Sequence, residues 1–304
     1  MGIKKGLTKR FAEIGKIKIG GKGETRKSAK GVEYQLPVRY EHFVVTTTEK
    51  GPDGNFIIDN TVMKALTKDN PEPKEIPIRL PFDDIDLNFY TSFQMYQGSK
   101  CICRGDGENA VRVTAQGTEQ HVKCSPDTCR YLKDEKCKVS GILSCHIPCS
   151  MEAGGIYRFR THSWNSVSAI LASLEYISDN TNGVLQGLPL KLKFLKKATA
   201  EHGNVNIVTL VLDGLEMMKL RELAYLEYEN RMKLGIDMHA IQEQAKVAGF
   251  LEDHDDPADV EEEFYPPVVA ETEQKGVSAE SAEKELAEKE EKPDTTDDVQ
   301  GDLL

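Results

Sequence analysis

The cysteines are the residues with the most evident chemistry. All seven fall between residues 101 and 149 of a 304-residue chain: Cys101, Cys103, Cys124, Cys129, Cys137, Cys145 and Cys149. Thiolates crowded in this way suit a soft divalent cation, because Zn2+ takes four tetrahedral ligands and favours sulfur in structural sites. The step Cys124-x4-Cys129, followed by Cys137, suits a loop wrapped around a metal, and turn formers stand nearby in Gly105-Asp106-Gly107 and Ser125-Pro126-Asp127. A sulfur-rich set can close its own coordination shell, so the expected Zn2+ site is structural. Two other readings stand beside it. A disulfide framework is disfavoured by the odd count, the chain length and an opening Met1-Gly2-Ile3-Lys4-Lys5 with no apolar export region. Inert buried thiols, packing as small hydrophobes, are the plainer alternative.

Little else in the chain suggests catalysis. There is no His-Glu-x-x-His, no Gly-x-Ser-x-Gly and no Gly-x4-Gly-Lys-[Ser/Thr]. Asp83, Asp84 and Asp86 could hold a hard cation in a metal-dependent hydrolase, but no further carboxylate or histidine cluster is indicated by spacing, and a solvated loop is the expectation. The basic strands are more informative. In Ile156–Thr161, Tyr157 and Phe159 alternate with Arg158 and Arg160; in Leu190–Leu195, apolar residues alternate with Lys191 and Lys193. These four cations could share one side of a sheet, with Trp164 close by in sequence, as cations that track phosphates and aromatics that stack bases do in single-strand binders. The alternative is the solvent face of ordinary amphipathic strands.

The formal charge of -11 conceals an asymmetry. Residues 251–304 carry 20 acidic against 4 basic side chains, while residues 1–38 carry 10 basic against 3 acidic. A basic end and an acidic end point to nucleic-acid work more than the overall charge does. No apolar run approaches the ~20 residues needed to cross a bilayer, so no membrane partner is expected and the cytoplasm is the expected compartment.

The elements that must position these residues read as follows. Residues 1–31 suggest a flexible basic arm. Strands are expected over Tyr40–Thr48, Phe56–Ile58, Ile76–Leu80 (an edge strand, given Pro77) and Leu87–Tyr96, with a helix from a cap at Asn60 to Leu66. The cysteine region, 101–149, reads as a loop insertion among strands. A strand over 156–161 leads to a helix capped by Thr161 or Ser163 and carrying Val167, Ile170, Leu171, Leu174 and Ile177 at helical spacing. Strands at 190–195 and 205–212 precede helices over 215–233 and 238–250. After Glu252 the composition is that of a disordered acidic tail. The expected class is α+β: a β-rich body over 32–250, for which an OB-like arrangement is one candidate, with a zinc-stabilised insertion, C-terminal helices and the tail.

One family shares this order of motifs. Cys137-Lys138-Val139-Ser140-Gly141-Ile142-Leu143-Ser144-Cys145 is followed by Ile147-Pro148 and Gly154-Gly155-Ile156-Tyr157. Thr161-His162-Ser163-Trp164-Asn165-Ser166-Val167 comes next, then Leu185-Gln186-Gly187-Leu188-Pro189-Leu190. Over about residues 1–250 this resembles the phage recombination directionality factor-like proteins associated with large serine integrases. In that family a Cys-x-Gly-Asp-Gly step, a group of cysteines and a Cys-Lys step recur, here Cys103-Arg104-Gly105-Asp106-Gly107, Cys124 with Cys129, and Cys137-Lys138. The resemblance therefore implies Cys103, Cys124, Cys129 and Cys137 as zinc ligands, with Cys101, Cys145 or His146 as substitutes. It also implies a non-enzymatic accessory protein of DNA recombination that contacts an integrase. The alternative is a single-stranded DNA-binding protein whose acidic tail competes for the basic groove and recruits phage recombination or replication partners.

Overall fold

A computed structural model describes residues 11–27, 33–68, 71–97, 100–114, 116–150, 154–199 and 203–250, with Pro257 and Val260. Period-two patterning builds most of it. Strands β1 (Ala12–Lys27), β2 (Glu33–Lys50) and β3 (Phe56–Ile58) come first, followed by helix α1 (Asn60–Leu66). Asp59, not Asn60, caps α1, accepting from Thr61 N and Val62 N. Strand β4 (Glu75–Ile78), the short helix α2 (Ile85–Asn88) and β5 (Phe89–Tyr96) follow. Then come β6 (Cys101–Gly105), β7 (Asn109–Val113), β8 (Glu119–Lys123), α3 (Arg130–Lys133) and β9 (Cys137–Cys145). The chain continues through β10 (Gly155–Thr161), α4 (Trp164–Asn180), β11 (Leu190–Thr199), β12 (Gly203–Leu212), α5 (Met217–Leu234) and α6 (Met238–Val247). Ser163 Oγ caps α4 by accepting from Ser166 N, as the sequence implied.

Nine strands form one sheet in the order β3-β2-β1-β10-β9-β5-β6-β7-β8, and β12-β11-β4 form a second. The class is α+β and strand-rich, but an OB fold is a five-stranded, partly open barrel, and this strand order is different. Two further expectations need correction. Residues 12–27 of the supposed arm are strand β1, bound on one side to β2 and on the other, in parallel, to β10. The strand forms because Ile17 turns into the core while Lys16 and Lys18 turn away from it. The cysteine stretch is not a loop insertion either: β6, β7 and β8 extend the sheet to one edge and β9 lies inside it. Residues 1–10, 28–31 and, apart from Pro257 and Val260, the acidic stretch 251–304 lie outside the described residues.

The core lies between the sheets. Phe43 of β2 meets Phe159 of β10 edge-on at 6.2 Å and Phe194 of β11 edge-on at 6.3 Å, joining the two sheets through one ring. Ile17, Val45, Leu143, Ile76, Ile78, Leu192 and Leu210 complete the interface, and α4 contributes Val167, Ile170, Leu174 and Ile177. Each such side chain contributes about 1.5–3 kcal/mol when fully buried. The β12 strand ends its sheet, and α4 protects that edge: Ser166 Oγ accepts from Val208 N at 3.0 Å. The opposite edge is β4, where Pro77 sits, as expected of an edge strand. Among the described residues no helix is long and apolar enough to cross a membrane.

Two of the three carboxylates considered for a hydrolase site, Asp83 and Asp84, have structural engagements. Asp83 Oδ1 accepts from Leu185 N and Gln186 N, both at 2.8 Å, and its Oδ2 pairs with Arg231 Nη1 at 2.5 Å. Asp84 caps α2 through Leu87 N and pairs with Lys246 at 2.7 Å. A solvated loop is therefore the wrong description of Asp83, whose side chain is 16% exposed beside an arginine at 7%. Removing one partner of a buried pair leaves the other charge stranded and costs about 3–5 kcal/mol. Asp83→Ala is accordingly predicted to lower the thermal midpoint by several degrees, measured by scanning calorimetry. A midpoint equal to that of the parent protein would show that the pair contributes nothing.

Candidate nucleic-acid or partner interface and thiol cluster

On the face of the large sheet that carries Lys16 and Arg158, the register of four strands assembles a groove, which Val205 and Asn206 of β12 also border. Lys16 of β1 stands opposite Arg158 of β10, while Ile17 stands opposite Phe159. Across the next ladders Arg158 lies opposite Ser144 and Arg160 opposite Ile142, and Gln94 of β5 lies opposite Lys138 of β9. Because alternate residues share a face, Lys16, Lys18, Lys138, Arg158 and Arg160 come to one side. Arg39 from β2 joins them around a cavity of about 910 Å³. Tyr40, Phe56 and Trp164 supply aromatic surface to the same cavity, which α3 borders through Leu132 and Lys133.

The floor of the groove is ordered by hydrogen bonds. Arg160 Nη1 donates to Ser140 Oγ at 3.0 Å and Gln94 Oε1 at 3.4 Å, and Gln94 Nε2 donates to Ser92 Oγ at 3.0 Å. Glu13 joins two cations, Lys16 at 2.8 Å and Arg158 at 3.4 Å, so this trio keeps a net positive charge. Lys16 and Lys18 also lie over the Phe56 ring, at 5.3 and 4.8 Å from its centroid. The Lys138 ammonium has its pKa lowered, chiefly by burial, with Arg39 adding like-charge repulsion and Glu135 opposing both. Cations gathered in a low-dielectric concavity focus a positive potential.

The sequence-nominated cations divide between two sheets. Arg158 and Arg160 are in the groove; Lys191 and Lys193 belong to β11 of the other sheet, so the single shared face is corrected. Lys191 pairs with Glu75 at 3.2 Å and Asp213 at 3.0 Å, and Lys193 pairs with Glu75 at 2.7 Å. Trp164 lines the groove, 51% exposed, with its ring 5.5 Å from that of Phe93. Sequence reasoning missed Lys16, Lys18, Arg39, Lys138, Tyr40 and Phe56. The signal for the first two was present in the alternation Lys16-Ile17-Lys18-Ile19, a half-buried strand pattern within a stretch read as an arm.

At one end of this groove the thiols gather. Cys137 opens β9, Met95 of β5 lies opposite it, and Cys103 of β6 lies opposite Met95 in turn. All three belong to one small apolar cluster that also takes in Cys124, Tyr131 and Leu132. The Cys137 thiol is pushed up to about 12, first by burial and then by the neighbouring Cys129, Cys103, Cys124 and Cys101. Cys124 is likewise raised by burial, with Cys103 and Cys129 adding to it. The Arg112 guanidinium bonds to Cys103, which raises its own pKa. The four thiols nominated as ligands are thus electrostatic neighbours, with Cys101 beside them.

They converge without closing. Among the described residues no group of three or more His, Cys, Asp or Glu side chains stands in an arrangement that would hold a metal ion. Register explains part of this, since the Met95 strand separates Cys103 from Cys137 and two strand spacings amount to about 10 Å between their Cα atoms. The donor chemistry suits Zn2+; the side-chain positions leave the shell open. Two substitute ligands are placed elsewhere. Cys145 is fully buried at the far end of β9, opposite Tyr157, with its thiol pushed up to about 12 by burial, and His146 Nδ1 contacts Gly155 O at 2.9 Å.

The turn that follows Cys103 shows why its residues have these types. Asp106 accepts from Glu108 N at 2.8 Å and Asn109 N at 2.7 Å, which fixes the β6–β7 turn and lowers the pKa of its carboxyl. Gly107 takes φ +105, a conformation open to glycine. At Gly105 a Cβ would come within 2.8 Å of Cys124 Sγ and 2.9 Å of the Ala110 Cβ.

These features define a strand-rich α+β protein that presents a cationic, aromatic-lined groove with a thiol cluster at one end. The chain belongs to the Gp3-like family, described as recombination directionality factor-like, whose profile matches residues 14–217. The matched span contains all but the first two residues of β1, together with β9, β10 and α4, the Cys-Arg-Gly-Asp-Gly turn and every cysteine. No curated protein sequence matches the chain. The family description points to an accessory role in phage recombination.

Because the missing Gly105 side chain leaves room for the Cys124 sulfur, Gly105→Ala is predicted to overpack the cluster. The expected cost is about 1–3 kcal/mol, with faster alkylation of Cys124 followed by mass spectrometry. Unchanged stability and labelling would show that the close approach is dispensable.

Proposed function

We propose that this chain is a non-enzymatic recombination accessory protein that changes which products a serine integrase forms, and that its cationic groove engages the integrase–DNA assembly. The observation that carries this reading is the family match over residues 14–217, which includes most of the groove's walls. The test is an in vitro recombination reaction with the serine integrase of the same phage. Adding the protein is expected to shift the ratio of integration to excision products. Unchanged products at a large excess of protein would overturn the reading.

A second reading, single-stranded DNA binding in the groove, is favoured by the combination of Lys18, Arg39 and Lys138 with the exposed Trp164 ring. Aromatic faces stack bases with little sequence preference while cations follow the phosphates. The double variant Lys18→Glu, Lys138→Glu is predicted to weaken binding of a labelled oligothymidine at least about tenfold and to flatten its salt dependence. An unaltered salt slope would place the DNA elsewhere.

Zn2+ is the proposed metal, held by Cys103, Cys124, Cys129 and Cys137 with Cys101 as substitute. The support is the proximity of these thiols and the soft-donor chemistry of the set. The metal would supply folding free energy by tying β6, α3 and β9 together. Purified under reducing conditions, the protein is expected to contain one zinc per chain, and Cys103→Ser or Cys137→Ser to lose it together with thermal stability. A fully folded protein without stoichiometric metal would refute the assignment.

A further inference from the structure

Helix α5 has two faces of different kinds. Leu220 and Ala224 are buried and Arg231 is held by Asp83, so that side of the helix lies against the body. A second face carries Met218, Arg221, Tyr225, Tyr228 and Met232, positions separated alternately by three and four residues. That spacing is the seam of a helix that packs along another helix. Met218 and Met232 are each 63% exposed, Tyr225 61% and Tyr228 51%. Single exposed apolar residues are ordinary, whereas four in one stripe about 21 Å long mark a surface that another element covers.

The charges on the stripe say what that element is. Arg221 Nε donates to Asn180 O at 3.1 Å, its Nη2 to Asn180 Oδ1, and its Nη1 contacts Met218 Sδ at 3.8 Å. These partners are neutral, so the guanidinium is held in place with its charge uncancelled. Glu229, one turn beyond Tyr225, accepts from Tyr225 Oη at 2.6 Å and from Lys233 Nζ at 3.4 Å. Lys233 is well exposed, and a pairing of that kind is weak. Lys219 and Glu222 cancel each other at 2.7 Å. The stripe thus has a fixed cation in its first half and a fixed carboxylate in its second.

Two copies of this stripe complement each other in one direction. In a parallel pair each seam residue meets its own counterpart, which sets Arg221 against Arg221. In an antiparallel pair the stripe is read backwards. Tyr225 then meets Tyr228 of the second copy, and Arg221 stands level with Met232 of the second copy, within one turn of its Glu229. A two-fold axis makes each of these contacts twice, and the opposed helix dipoles favour the same direction.

We propose that the exposed stripe of α5 is a self-association surface, covered by α5 of a second copy of this chain packed antiparallel, with Arg221 of each copy beside Glu229 of the other. The proposal is independent of what the groove binds.

Sedimentation velocity on the full-length protein, under reducing conditions with zinc present, tests it. A concentration-dependent mass of two chains is expected. Tyr225→Glu and Arg221→Glu, both on the exposed face, are each expected to weaken the dimer at least about tenfold while leaving the circular dichroism unchanged. The double variant Arg221→Glu, Glu229→Arg exchanges the two charges and is expected to recover most of the loss. In a mixture of isotopically heavy and light protein, a short amine cross-linker is expected to join Lys219 of one copy to Lys233 of the other. A monomer at every concentration would overturn the proposal and leave the stripe to a different protein. A dimer indifferent to Tyr225→Glu would place the contact elsewhere, and links between copies that join only Lys219 to Lys219 would reverse the pairing; either result overturns it as well.

Discussion

The parallel pairing of β1 with β10 is the constraint from which both faces of the large sheet follow. Lys16 stands opposite Arg158 and Ile17 opposite Phe159, so one register sends apolar side chains to the interface between sheets and cations to the groove. A slip of one residue would exchange the two sets and bury lysines against Phe43. Sandwich core and groove are therefore two consequences of the same hydrogen-bond ladder. Glu13, close to both Lys16 and Arg158, eases the repulsion that this register imposes.

Strand β9 connects the groove to the thiols. Its Cys137 belongs to the cysteine cluster, Lys138 and Ser140 contribute to the cationic face, and Leu143 and Cys145 reach the main core. Cys129 stands at the N-terminus of α3, whose Leu132 and Lys133 form part of the groove's border. A metal that drew Cys129 towards Cys137 would thus position that border. In this arrangement the cluster and the cationic face are joined through β9 and α3.

The carboxylates have taken structural work. Asp83 gathers two backbone N–H groups from the 185–186 turn and the guanidinium of Arg231, so three segments distant in sequence meet at one side chain. Asp83 and Asp84, which could have held a cation, are thus engaged instead in fixing α5 and α6 against the body.

Much of the architecture was legible in the sequence, because alternation and capping are local. The β10 strand with Tyr157 and Phe159 inward, the Ser163 cap of α4, the Pro77 edge strand and the α5 and α6 helices each follow from a few adjacent residues. The family, too, was readable from motifs that lie close together along the chain. What local pattern could not decide was pairing. Whether Lys16 lies beside Arg158, or Lys191 beside Arg160, depends on which strands share a sheet, and that is set by the burial of Phe43 between Phe159 and Phe194. The seven crowded cysteines announced soft-ligand chemistry by themselves. The family's motifs singled out Cys103, Cys124, Cys129 and Cys137, and the tertiary structure supplied the reason Cys145 stands apart, because β9 carries its two ends into different environments; only it placed Val260 among the cations of a strand more than two hundred residues earlier in the chain.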